Sequence, residues 1–130
     1  MIAVIFASGR LERIYTGLSL LVSAAAEGDP ARALVTFAAL DPLLDDALEA
    51  RAQRPEATPA LTPAGRVTFA RTLVELRATA AELPDCRLWA CAAGVELTEV
   101  PRALVEARFD GVVSMPRFLR GLGGSVPVVV

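Results

Sequence analysis

The chain has 130 residues, of which 54% are hydrophobic, so it can build one domain with its own core and is not a disordered linker. All 13 basic residues are arginines, histidine and lysine are absent, and the 15 acidic residues give a net charge of −2. This composition excludes histidine-activated nucleophiles, histidine-ligated zinc, lysine Schiff bases and a phosphate-binding lysine loop. We expect neither a cofactor nor a metal.

The distribution of charge and the length of the apolar runs also indicate which partners and which compartment to expect. Arginines and acidic residues are interleaved along the chain, which disfavours a nucleic-acid partner. The uncharged apolar run of residues 14–26 is shorter than the roughly 18 to 20 residues of a membrane span. Arg10 and Arg13 before this run resemble the start of a secretory signal, but a strand pattern precedes them and the run has helical spacing. We therefore predict a cytoplasmic protein with reduced thiols and no membrane span.

In chain order, apolar runs alternate with segments of helical periodicity. Strands are predicted at residues 2–6, 33–38, 87–90, 110–113 and 126–129. Helices are predicted at residues 10–26, 41–52, 66–83, from 96 or 98 to 108, and 114–121. Asp41 and Pro42 are predicted as the N-cap and first turn of the second helix. Residues 54–65 contain three prolines at four-residue spacing and are predicted to form a surface loop.

This alternation predicts a single α/β domain over residues 1–130, with a five-stranded parallel sheet in a three-layer α/β/α arrangement. Periodicity does not settle the strand order, because right-handed crossovers permit several orders, including the flavodoxin-like order 2-1-3-4-5. The helix that contains residues 14–26 has more apolar surface than one sheet face covers. We therefore expect a homo-oligomer.

Cys91 is the best-placed nucleophile of the chain. In open parallel sheets the working site lies beyond the carboxyl ends of the strands, and Cys91 follows the predicted strand 87–90. The small residues Ala92, Ala93 and Gly94 come next and are predicted to turn the chain towards a helix. Backbone N–H groups and the helix dipole would stabilise a thiolate there. The alternative is that Cys91 is a small packing residue, as free cysteines often are.

The second thiol, Cys86, precedes the same strand at its amino end. Five strand residues at about 3.3 Å each separate the two cysteines by roughly 16 Å. A disulfide needs Cα atoms within about 7 Å, so we expect none between Cys86 and Cys91.

Segments that follow the other strands should meet Cys91 at the same edge of the sheet. Arg10, at the start of the first helix, is the best cationic candidate near the thiol, and its alternative is an ordinary solvated helix residue. Asp41 also belongs to this end but is interpreted as a helix cap rather than a catalytic acid. The predicted binding residues around Cys91 are Ser8, Gly9, Arg10, Phe37, Ala92, Ala93 and Gly94.

A family resemblance rests on four stretches of the sequence. They are residues 4–13 at the start of the first helix, Val35-Thr36-Phe37, residues 88–97 around Cys91, and residues 109–119 with Asp110-Gly111. Together these stretches make the chain resemble the DsrE/DsrF-like sulfur-relay family over nearly its whole length. Ala92-Ala93-Gly94 stands where one branch of that family has a stretch with serine and methionine.

The resemblance implies a strand order of 4-3-2-1-5 and assembly into trimers or hexamers. In active members of the family a cysteine accepts sulfur as a persulfide, and Cys91 occupies its position. The favoured hypothesis is therefore a sulfur-carrier or sulfurtransferase-like protein that uses Cys91, with sulfur donor and acceptor proteins as partners. The alternative is a non-catalytic oligomeric assembly or small-ligand-binding subunit of the same fold.

Overall fold

Five β-strands and seven α-helices alternate along the chain in the computed structural model, which describes residues 1–130. The strands are β1 (Ile2–Phe6), β2 (Ala31–Val35), β3 (Cys86–Cys91), β4 (Val112–Val113) and β5 (Val128–Val129). The helices are α1 (Leu11–Ala26), α2 (Leu40–Leu44), α3 (Leu48–Ala52), α4 (Pro63–Glu82), α5 (Ala92–Leu97), α6 (Arg102–Arg108) and α7 (Met115–Arg120).

The strands form one parallel sheet in the order β4-β3-β2-β1-β5. The α/β class and the order implied by the family resemblance are confirmed, and the flavodoxin-like order is wrong. In the register of the three long strands, Phe6 pairs with Val35 and Val35 pairs with Ala90. The ends of β1, β2 and β3 therefore lie level at the carboxyl edge of the sheet.

The two faces of the sheet are covered unequally. The first three crossovers move along the sheet in one direction, and the last, from β4 to β5, runs back across it. Right-handed crossovers therefore place α7 on the face opposite the other long connections. On the α1 and α4 side, a cluster of 26 buried residues forms what we call the thick layer. On the α7 side, the thin layer has six buried residues: Ala3, Ile5, Leu34, Cys91, Phe118 and Leu122.

The end of β2 differs from the prediction of a strand over residues 33–38. The strand begins at Ala31 and ends at Val35, and Phe37–Ala39 form a 3₁₀ turn. The Thr36 backbone N–H and hydroxyl both donate to the carbonyl oxygen of Phe6, at 3.0 and 2.8 Å. Phe37 then adopts a φ of +37°, which turns the chain out of the sheet.

The predicted helix 41–52 is in fact two short helices, α2 and α3. The Asp45 carboxylate accepts a hydrogen bond from the Ala47 backbone N–H at 2.8 Å, a local turn that interrupts the helix. This bond is the main cause of the lowered pKa of Asp45. Asp41 lies inside α2 and pairs with Arg51 at 2.9 Å, so its predicted N-cap role is wrong.

Residues 54–65 lie mostly on the surface, but α4 takes the last three of them. The helix begins at Pro63, behind an N-cap in which the Thr62 hydroxyl accepts from the Gly65 N–H at 3.0 Å. Thr58 in the middle of the segment is fully buried, and the Arg66 Nε donates to its hydroxyl at 3.2 Å. The proline-rich segment is therefore anchored at its centre.

The predicted helix from residue 96 or 98 to 108 is also two helices. Ala92, Ala93 and Gly94 do not form a turn but begin α5, and α6 starts after Pro101. Pro101 lacks a backbone N–H and suits the start of a helix better than its interior. Strands β4 and β5 have two residues each, fewer than predicted.

The apolar surface of α1, predicted to be more than one sheet face covers, is buried against other residues of the same chain. Tyr15 stacks on Phe69 of α4, with ring centroids 5.0 Å apart. Ile14, Leu18 and Leu21 are fully buried in the thick layer. The helix therefore supplies no free apolar face for an oligomer. No helix of the chain is long and apolar enough to span a membrane.

Arg77 of α4 ties the end of α2 to the helix layer. Its guanidinium donates to the carbonyl oxygen of Asp45 at 2.7 Å and to those of Pro42 and Leu43 at 3.4 Å. The last carbonyls of a helix lack partners within it, so this half-buried side chain satisfies groups that would otherwise be desolvated.

We predict that Arg77→Met lowers the free energy of unfolding by about 1.5 to 3 kcal/mol, because it removes charge-assisted bonds to partly buried carbonyls. Arg71→Met is the matched control, since Arg71 is exposed on the same helix and should change stability by less than about 0.5 kcal/mol. Urea denaturation measures both. An equal loss of stability in the two variants would contradict the role of Arg77 in joining α4 to the end of α2.

Candidate functional site

The candidate site lies at the carboxyl edge of the sheet, where three connections leave neighbouring strands. Because Phe6, Val35 and Ala90 are aligned, the connections that begin at Ala7, Thr36 and Ala92 leave the sheet at nearly one level. The carboxyl edge is where parallel sheets place their sites.

Small residues at this edge allow the connections to pack against one another. A Cβ atom on Gly9 would lie 2.7 Å from the carbonyl oxygen of Ala38, and one on Gly94 would lie 2.9 Å from the backbone nitrogen of Phe37. Any larger residue at either position would push the neighbouring backbone away. The structure thus brings Gly9, Phe37 and Gly94 together, and it uses the glycines for close packing.

Cys91 is the last residue of β3 and the N-cap of α5. Its thiol is free, and the residue is only 4% exposed. The side chain belongs to the thin layer, where its partners include Phe118 of α7 and Leu122 just beyond it. The chemical surroundings of Cys91 are therefore apolar side chains rather than a ring of polar groups.

The remaining predicted site residues are more exposed than Cys91. The Arg10 side chain is 72% exposed and pairs with Glu12 at 3.5 Å. The Ser8 hydroxyl accepts from the Arg10 backbone N–H at 3.2 Å, which makes Ser8 a turn residue at the start of α1. Ala92 is half-buried and Ala93 is exposed. Arg10 thus lies on the surface and is engaged with its own helix.

Cys86, at the opposite end of β3, belongs to the thick layer. Burial, with a further contribution from the Asp110 carboxylate, raises the pKa of the Cys86 thiol to about 11. Asp110 is itself held in place, because it accepts from the Leu88 backbone N–H at 2.8 Å and from Arg87 at 3.3 Å. Asp110 therefore fastens the approach to β4 and adds to the effect of burial, which favours the neutral form of Cys86.

A cavity in the thin layer was not predicted from the sequence. It is lined by Arg32, Trp89, Val113, Arg117, Phe118, Gly121 and Leu122. One signal was present: Arg32 is a charged residue inside an otherwise apolar central strand of a parallel sheet. Elsewhere along the chain, no group of three or more potential metal-ligating side chains occurs.

Comparison of the chain with protein-family models and with curated proteins finds no match. The functional proposals below therefore depend on the residues, their geometry and the sequence resemblance described above.

We predict that Cys86 is nearly inert in the native protein. With a pKa of about 11, about one Cys86 thiol in a thousand is ionised at about pH 8. In a Cys91→Ser variant, iodoacetamide should modify Cys86 more than about a hundredfold more slowly than free cysteine. The rate should rise as the pH approaches the pKa, because ionisation then increases. Modification at the rate of free cysteine would contradict the burial of this thiol.

Proposed function

We propose that the chain is a small sulfur-carrier or sulfurtransferase-like protein that accepts sulfur as a persulfide on Cys91. The observation that supports this is the position of Cys91, the only thiol at the carboxyl edge of the parallel sheet. The resemblance to the DsrE/DsrF-like family agrees with the proposal at the same residue. Two free thiols suit a reducing compartment, and we place the protein in the cytoplasm.

The proposed chemistry is a thiol exchange in two steps. The Cys91 thiolate attacks the outer sulfur of a donor persulfide, the sulfur–sulfur bond of the donor breaks, and the donor leaves as a thiolate. An acceptor thiolate then attacks the outer sulfur of the Cys91 persulfide, and Cys91 leaves as a thiolate again. One sulfur atom moves in each step, and no external oxidant or reductant is consumed.

Transfer requires access to a buried sulfur. The side chains that cover this part of the sheet include Phe118 of the six-residue helix α7 and the following Leu122. The proposal therefore includes a movement of α7 that exposes Cys91 to donor and acceptor. A short helix with one buried residue of its own is held by few packing contacts, which suits such a movement.

Intact-mass measurement after incubation with inorganic polysulfide tests the proposal. Reduced wild-type protein and the Cys86→Ser variant should each gain the mass of one sulfur atom, and the gain should disappear on addition of a thiol acceptor. Cys91→Ser should gain none, because the accepting sulfur is missing. An unmodified wild-type protein, or the same adduct on Cys91→Ser, would overturn the proposal.

A second candidate function is favoured by the burial of Cys91 in an apolar cluster. In this alternative the chain is a non-catalytic assembly or small-ligand-binding subunit, and Cys91 is a packing residue. The edge strand β5 offers an apolar surface for assembly, since Val126 just before it is 86% exposed and Val129 within it is 60% exposed. Assembly into trimers or hexamers is part of this proposal.

Light scattering at micromolar concentration should then give the mass of a trimer or hexamer. Val126→Asp should shift the protein to smaller species, because it places a charge on the apolar edge. Val67→Asp is the control, since Val67 is half-exposed on α4, away from β5. A monomeric wild-type protein would contradict the assembly proposal.

A further inference from the structure

The thin layer leaves space between α7 and the sheet. The cavity has a volume of about 210 Å³, and its lining comes from β2, β3, β4, α7 and the residues just after α7. This space is large enough to hold several water molecules. An occupant is therefore small, on the scale of one ring with a polar group attached.

Positive charge in the lining has no partner of opposite sign. Arg32 and Arg117 both line the cavity, and no acidic residue does. Neither arginine takes part in any of the six ion pairs of the chain. A half-buried guanidinium without a counter-ion is costly, so the site favours an anion.

Arg32 is also held in a fixed position. One terminal nitrogen of its guanidinium donates to the carbonyl oxygens of Ala31 and Asp85, each at 2.9 Å. These two bonds use two of the five N–H donors of an arginine. The other three have no acceptor in the chain and are available to a ligand.

The remaining wall is flat and apolar. Trp89 is half-buried and meets Phe118 edge-on, with ring centroids 6.2 Å apart and planes at 69°. Val113 and Leu122 complete this side of the cavity. Aromatic faces of this kind stack on planar rings.

We propose that this cavity binds a small aromatic carboxylate. The carboxylate lies between the guanidiniums of Arg32 and Arg117, whose planar donors match its geometry, and the ring packs against Trp89 and Phe118. One ring with its carboxylate is of a size that suits a cavity of about 210 Å³. This binding goes beyond sulfur transfer, because none of the lining residues is a thiol.

Titration with benzoate tests the proposal, with Trp89 as the reporter. Trp89 is the only tryptophan of the chain, so its indole N–H gives the only indole signal in a proton–nitrogen correlation spectrum. Benzoate should shift this signal saturably. Benzamide, which keeps the ring without the charge, and inorganic phosphate, which keeps a charge without the ring, should each bind at least about tenfold more weakly.

Variants of the lining arginines distinguish binding in this cavity from general binding to the protein surface. Arg117→Gln and Arg32→Gln should each weaken benzoate binding about tenfold, since each removes a charge-assisted pair of hydrogen bonds. Arg120→Gln is the matched control, because Arg120 is exposed on the same helix and does not line the cavity. Binding is measured on the reduced protein without any sulfur donor, which keeps this test independent of the sulfur proposal.

Three results would overturn the inference. They are a Trp89 signal that does not saturate with benzoate, equal binding of benzamide, and an equal loss of binding in Arg117→Gln and Arg120→Gln. Arg117 is an exposed helix residue, so its variant should fold even if Arg32→Gln does not.

Discussion

Successive side chains of a β-strand point to opposite faces, and in this chain that alternation assigns the side chains of β1, β2 and β3 to two layers of very different size. The layers are unequal because three crossovers run one way along the sheet and a single one returns. The thick layer has 26 buried residues and the thin layer six. The thick layer therefore supplies most of the apolar burial that stabilises the fold, and the thin layer can accommodate charged and aromatic side chains at lower cost.

The same alternation separates the two thiols. Cys86 and Cys91 are the first and last residues of the six-residue strand β3, so they lie on opposite faces as well as at opposite ends. Cys86 is buried in the thick layer beside a carboxylate, which keeps it protonated. Cys91 lies under a single short helix. The sulfur-transfer proposal requires α7 to move away from Cys91, whereas the packing alternative leaves α7 in place.

Strong local signals made part of this fold predictable. The apolar run of β1 and the helical spacing of α1 gave the position of both elements to within about one residue. The end of β2 was not predictable, because the strand ends where Thr36 bonds to Phe6, thirty positions earlier, and where Phe37 turns the chain out of the sheet with a φ of +37°. Gly94 suggested a turn, but it lies in α5, and the close approach of Phe37 explains why this helical position has no side chain.

The candidate site was predictable only in outline. The position of Cys91 at the end of a strand follows from local pattern, and so does the meeting of three connections around it. The burial of Cys91 does not follow from local pattern, because it depends on which face of the sheet α7 covers. The importance of Arg32 depends on the same crossover, since the cavity beside it exists only once α7 has crossed the sheet.

The unequal layers also bear on how this fold can diverge. A substitution in the thick layer disturbs a large, closely packed core, whereas one in the thin layer disturbs few neighbours. Related sequences can therefore keep the α1 and α4 side nearly intact while the α7 side changes its charge, shape and ligand. The sheet separates a large packed core from a lightly covered face, and new binding properties can evolve on that face without loss of the fold.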